Sequence, residues 1–152
     1  VRAGRHAAIA VDEAQVLTDP QTLDTLRMLL NFETDAVTGL TLLFVGQPSF
    51  LPLVDRNQGL EERVAVKCFL RPFNLDETTS YVTHRLRQAG AQRSIFNDDA
   101  LEALQRLSQG VPRQINRLCD LALLVGFAEE RETIDAFAIV AVSEELMVAA
   151  AD

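Results

Sequence analysis

Two adjacent carboxylates, Asp12 and Glu13, end the apolar run Ala7-Ala-Ile-Ala-Val11. A short run of small and branched apolar residues reads as a strand buried on both faces of a parallel sheet. In open α/β sheets, ligands collect beyond the carboxyl ends of such strands, which is where the two acids fall. Stripping water from a lone carboxylate is costly, so a pair at the mouth of a buried strand needs a counter-charge. Mg²⁺ with its shell of waters supplies one, and Asp12 is the residue placed to hold it, through water. Glu13 would then orient a water for attack on a phosphoryl group and take its proton. The competing reading is a solvated loop pair with no chemistry.

Other residues could join them. Gln47 directly follows a second apolar run, Leu40-Thr-Leu-Leu-Phe-Val45, where its amide could reach a phosphate or the attacking water. Taken alone, Gly46-Gln47-Pro48 reads better as a tight turn between strand and helix. Arg113 comes just after Pro112, at a helix start whose free amides and dipole favour an anion. A cation there is slightly unfavourable with the dipole, so a ligand is the better account of it. Arg117, one turn on, could be a second anion contact or an ion-pair partner of Asp120, and the ion pair is the preferred reading. Arg63 closes a short helix behind Glu61 and Glu62, from which it could project into a neighbouring subunit; an ion pair within the helix is the plainer alternative. Arg56 is a weaker candidate. His6 and His84 have no acid or nucleophile pattern around them and read as structural or solvated.

The elements that must carry these residues follow from periodicity and punctuation. Thr18-Asp19-Pro20 is a helix-start signal, and Leu23, Leu26, Leu29 and Leu30 recur at helical spacing, so a helix is expected over about 20–33. A turn at 35–39 leads to the second strand, which makes one βαβ unit. Short helical pieces are expected at 50–54 and 59–63, then a third strand at 64–70. Beyond Arg71-Pro72-Phe73 the pattern is helical. Asp76 is read as the cap of a helix closed by Gly90. Asn97 caps a second helix with the stripe Leu101, Leu104 and Leu107, ending at Gly110. Pro112 opens a third with the stripe Ile115, Leu118, Cys119 and Ala122, and Asp135 caps a fourth that runs to about Met147.

Composition bounds the rest. At 152 residues the chain is one domain or two small ones, and 48% apolar residues suffice for a core. A formal net charge of −8 disfavours broad non-specific binding to nucleic acid, so such a partner is not expected. Cys68 and Cys119 stand apart from each other and from any CxxC pair, and both read as buried reduced thiols of an intracellular protein. No apolar run reaches membrane-spanning length. No Gly-x-x-x-x-Gly-Lys-[Ser/Thr] loop occurs in the sequence, so a loop to cradle phosphates is missing beside the carboxylates. The chain also begins almost directly on a buried strand, as a fragment would.

Four blocks in order resemble AAA+ ATPases of the ExeA/GspA type, the general (type II) secretion pathway ATPases. They are Ala8-Ile-Ala-Val-Asp-Glu-Ala-Gln-Val-Leu17, Leu29-Leu-Asn-Phe-Glu-Thr-Asp35, Leu43-Phe-Val-Gly-Gln-Pro48 and Gly110-Val-Pro-Arg-Gln-Ile-Asn-Arg-Leu-Cys-Asp120. The resemblance covers residues 6–146. It implies an α/β fold: a partial parallel P-loop NTPase sheet over residues 1–73, then a four-helix lid over 74–152. It also implies ATP and Mg²⁺ as cofactors. Asp12 and Glu13 match the Walker B pair, with Glu13 as the catalytic base. Gln47 matches sensor 1, Arg63 the arginine finger that acts across subunits, and Arg113 the sensor 2 arginine. The Walker A loop and first strands of the family would precede Val1, so this stretch alone is expected to be inactive. The absent strand would sit between the second and third strands, leaving open edges, so a homo-oligomer or swapped arrangement is expected. The implied role is ATP-driven conformational change in assembling a secretion apparatus. It is set in the cytoplasm at the inner face of the membrane, with secretion components as partners and membrane contact only through regions outside this chain. Two rivals share much of the layout. One is a DNA-linked TniB-like transposition ATPase using a basic patch of Arg85, Arg87, Arg93 and Arg106. The other is a non-catalytic interaction module.

Overall fold

The computed structural model describes residues 6–31 and 39–148. The chain divides into two compact units, Val1–Cys68 and Phe69–Asp152.

The first unit begins with strand β1 (Ala7–Val11). Helix α1 (Pro20–Leu29) starts where the sequence signals it. The Asp19 carboxylate accepts from the backbone N–H groups of Gln21 and Thr22, and Pro20 takes the first position, where no donor is needed. The hydroxyl of Thr22 also donates to Asp19, and these bonds hold its carboxyl below the usual carboxylate range. Helix α1 is shorter than the 20–33 expected: Leu30 and Asn31 already form a turn, their amides donating to the carbonyls of Arg27 and Met28, while residues 32 and 33, with most of the turn expected at 35–39, lie outside the described residues. Strand β2 (Leu40–Phe44) lies parallel to β1, in register from Ala7 opposite Leu40 to Val11 opposite Phe44. His6 hydrogen-bonds Thr41 across the pair at 2.7 Å, a structural use of that ring. After a 3₁₀ turn come two short helices, α2 (Leu51–Arg56) and α3 (Gln58–Glu61). Ala14, Leu23, Phe50, Val54 and Leu60 form the small core of this unit. The Asp24 carboxylate accepts from both Arg27 and Asn57, which pins α1 to the turn between α2 and α3.

Three expectations are corrected here. The sheet has two strands among the described residues, because residues 64–70 form no ladder. Residues 64–70 alternate well enough for an edge strand, but a strand needs a neighbour's backbone to pair with, and among the described residues this segment has none. Consequently β1 and β2 are not buried on both faces: Ile9 and Leu43 remain 39% and 54% exposed, and Val45, just past β2, is 46% exposed. For the same reason Cys68 is exposed rather than buried.

The second unit is helical: α4 (Leu75–Gln88), α5 (Asp98–Ser108), α6 (Pro112–Ala128) and α7 (Ala136–Val148). Its core centres on Leu104, Ile115, Ile134 and Ile139, and the expected α6 stripe of Ile115, Leu118, Cys119 and Ala122 is wholly buried. Burial pushes the Cys119 thiol up to about 12, so it packs as an apolar group. The α4–α5 and α6–α7 connections are tied together, Ile134 donating to the carbonyl of Ile95 and Asn97 to that of Ile134. Asp135 caps α7 through the amide of Ala138, as expected.

The cap of α4 is Asn74 rather than Asp76. Asn74 and Glu77 exchange side-chain-to-backbone bonds in a capping box, and Arg71 grips the Glu77 carboxylate through two 2.8 Å bonds. That grip, with the amide of Asn74, holds the Glu77 carboxyl below its usual range. Asp76 instead lies in the first turn, where its charge suits the dipole. Asn97 caps α5 as expected, accepting from the amide of Ala100 at 2.8 Å. Asn97→Ala should therefore cost the helical unit about 1 kcal/mol, read as a lower denaturant midpoint at unchanged slope.

Candidate functional site

Asp12 and Glu13 form a two-residue arch with both feet on one residue. The amide of Val45 donates to the carbonyl of Val11 at 2.9 Å, and the amide of Ala14 donates back to the carbonyl of Val45 at 2.9 Å. Ala14 is fully buried, so the arch is anchored in the core while its two acids stay exposed. Closing so short an arch forces Glu13 into the left-handed region, at φ 52° and ψ 38°. One oxygen of the Asp12 carboxylate accepts the Glu13 amide at 2.8 Å. Backbone strain of this kind at a non-glycine residue persists only where the surroundings over-determine it.

The ends of the two strands are joined by a side chain that the sequence reading did not single out. The amide nitrogen of Gln15 donates to the Glu13 carboxylate at 2.5 Å, and its oxygen accepts from the backbone N–H of Gln47 at 3.0 Å. Gln15 thus bridges two of the candidate residues. Its only signal in sequence is that it is the one polar residue between Ala14 and Leu17.

Arg63 follows α3 and is exposed. The alternative ion pair within its helix does not form. Glu62 accepts from Gln58 and Glu61 lies 3.6 Å from Lys67, which leaves the Arg63 guanidinium with no acidic partner among the described residues. Arg56 is likewise exposed. In the second unit Arg113 is exposed in the first turn of α6, whose N-cap, Val111, offers no side-chain acceptor. No ion pair joins Arg117 to Asp120 among the described residues, contrary to expectation; three residues apart on α6, both side chains stay exposed and solvated.

The donor set suits Mg²⁺ held largely by water. One Asp12 oxygen is taken by the arch, and among the described residues no third His, Cys, Asp or Glu joins the pair to make a protein cage. Mg²⁺ characteristically takes one or two carboxylates and keeps its waters and phosphate ligands.

A family model described as an AAA domain matches residues 1–54, the span that holds the arch and Gln47. The ORC2 protein of Aeropyrum pernix, solved in its ADP form, matches 93% of this chain and 40% of its own at a TM-score of 0.74 and 15% identity, a likeness of fold. Residues 1–54 thus match the AAA family, and the fold is shared with the ORC2 neighbour. The chain is also similar to General secretion pathway protein A of Aeromonas hydrophila, with 39% identity over 128 residues, 83% of this chain. The chain spans 23% of the length of that relative.

Proposed function

We propose that this chain is part of an ATP-hydrolysing AAA+ module of the general secretion type, its α/β unit carrying the hydrolytic residues and its helical unit acting as lid. The observation that carries the reading is the arch: two carboxylates lifted from the end of a parallel strand, one of them fastened to the end of the next. Glu13 accepts a proton from the attacking water as the water oxygen bonds to the γ-phosphorus. The bond from that phosphorus to the bridging oxygen breaks, and ADP leaves. Asp12 would hold Mg²⁺ through water, and the ion would supply neutralisation of charge on the phosphates. Gln47 donates to a γ-phosphate oxygen or the attacking water. Arg113 contacts the nucleotide from the lid, and Arg63 reaches the site of a neighbouring subunit. The ADP form of the ORC2 neighbour supports a nucleotide ligand. The Arg63 guanidinium, which has no acidic partner among the described residues, and the exposed Leu43 and Val45 support self-association. Assembly of a secretion apparatus is drawn from the similarity to General secretion pathway protein A. No helix among the described residues is long and apolar enough to cross a membrane, and a cytoplasmic setting at its inner face fits this reading.

The DNA-linked alternative is weaker. Arg85 lies over the Tyr81 ring at 5.9 Å and Arg93 sits 3.5 Å from Glu132, so two of the four cations in that patch are engaged.

The test is Mg²⁺-dependent ATP turnover by the full-length protein. Asp12→Asn should raise the Mg²⁺ concentration for half-maximal turnover by about tenfold or more. Unchanged Mg²⁺ dependence would remove Asp12 from the metal site. No turnover by the wild type would favour the interaction module.

A further inference from the structure

We infer that Gln15 is a positioning residue for Glu13: its amide clamps the Glu13 carboxylate to the end of β2, so that base and sensor move as one piece. The inference rests on Glu13 being the base.

Three observations meet on this side chain. Its nitrogen holds one oxygen of Glu13, and its oxygen is held by the backbone of Gln47. The orientation of the amide is thereby fixed, since a carboxylate can only accept and a backbone N–H can only donate. The residue beside it is Gly46, where an added Cβ would stand 2.7 Å from the Gln15 oxygen and 3.1 Å from the amide of Ala14. Only a glycine leaves room for the bridge. Glu13 itself is held by nothing else through its side chain among the described residues, and it sits on an exposed arch. An exposed glutamate on a short arch would otherwise sample several rotamers, and proton abstraction demands one. The bridge removes that freedom without touching the strand ladder.

The experiment is steady-state ATP hydrolysis by the full-length protein, with unfolding midpoints measured in parallel. Gln15→Glu keeps the acceptor for Gln47 and replaces the donor to Glu13 by a repelling oxygen. Gln15→Met keeps the length and loses both bonds. Gly46→Ala displaces the bridge from outside. Each should lower kcat about tenfold or more with KM for ATP changed less than about twofold, since supporting groups of this kind are worth roughly 10–100-fold. The unfolding midpoints of the two Gln15 variants should match the wild type. In a Glu13→Gln background, Gln15→Met should cause no further loss, because the two residues act as a unit. If Glu13→Gln abolishes turnover while both Gln15 variants keep or exceed wild-type kcat, the clamp is overturned and the base assignment stands. A change confined to KM, or a kcat loss matched by lost stability, also overturns the clamp. If Glu13→Gln itself leaves turnover unchanged, the base assignment fails first.

Discussion

Glu13→Gln in the full-length protein should lower ATP turnover by about 10²–10⁴-fold and leave nucleotide binding intact, which is what removal of a general base does. The loss corresponds to about 3–5 kcal/mol of transition-state stabilisation. The substitution is well isolated by the local geometry. Glutamine has the same length, and its oxygen still accepts from the Gln15 amide. The left-handed backbone at residue 13 strains glutamine no more than glutamate. The arch rests on bonds from Val45 to Val11 and from Ala14 to Val45, which the side chain does not share. What disappears is the capacity to take a proton. The protein should therefore hold ATP without consuming it, seen as retained binding of a fluorescent nucleotide with no phosphate release. Retained turnover would return Asp12 and Glu13 to the status of a solvated loop pair.

The second large effect concerns the helical unit. Gly110→Ala should destabilise that unit by about 2–5 kcal/mol, combining strain at positive φ with overpacking. Gly110 has φ 71° and is buried, and an added Cβ would stand 2.0 Å from the carbonyl oxygen of Phe73. The backbone N–H of Phe73 meanwhile donates to the carbonyl of Gly110 at 2.8 Å, so the two chains cannot separate without breaking that bond. Gly90 is the control. Its φ is 97°, but nothing lies within 4 Å of its added Cβ, so Gly90→Ala should cost only about 1 kcal/mol. By calorimetry the Gly110 variant should melt on the order of 10–20 °C lower. Equal losses for the two variants would show that the Phe73 contact imposes no constraint. Because α6 begins two residues later, the same contact sets where Arg113 emerges.

Much of this was readable before any coordinates. Asp19, Asn97 and Asp135 announced their caps because a short polar side chain before an apolar stripe has one productive use. The α6 stripe showed itself through unbroken helical spacing. The cap of α4 was misjudged because Asn74 and Asp76 are both good caps, and only the reach of Glu77 back to Asn74 decides between them. The third strand failed for a different reason. Alternation shows what a segment could pair as, but pairing is a property of two segments. The acids and Gln47 were visible as strand-end polar residues. Gln15 was not, because its role depends on a left-handed turn at Glu13 that folds residue 15 back on residue 13. No spacing rule encodes that.

The left-handed conformation of Glu13 has a consequence for anyone improving this chain. Glycine would relax the arch, and asparagine would suit it better than glutamate does. A campaign that scored variants by thermostability or expression alone would thus reward loss of the carboxylate. Position 13 should be held fixed in any such redesign, and a stabilised variant that has changed it should be suspected of having traded its chemistry for its fold.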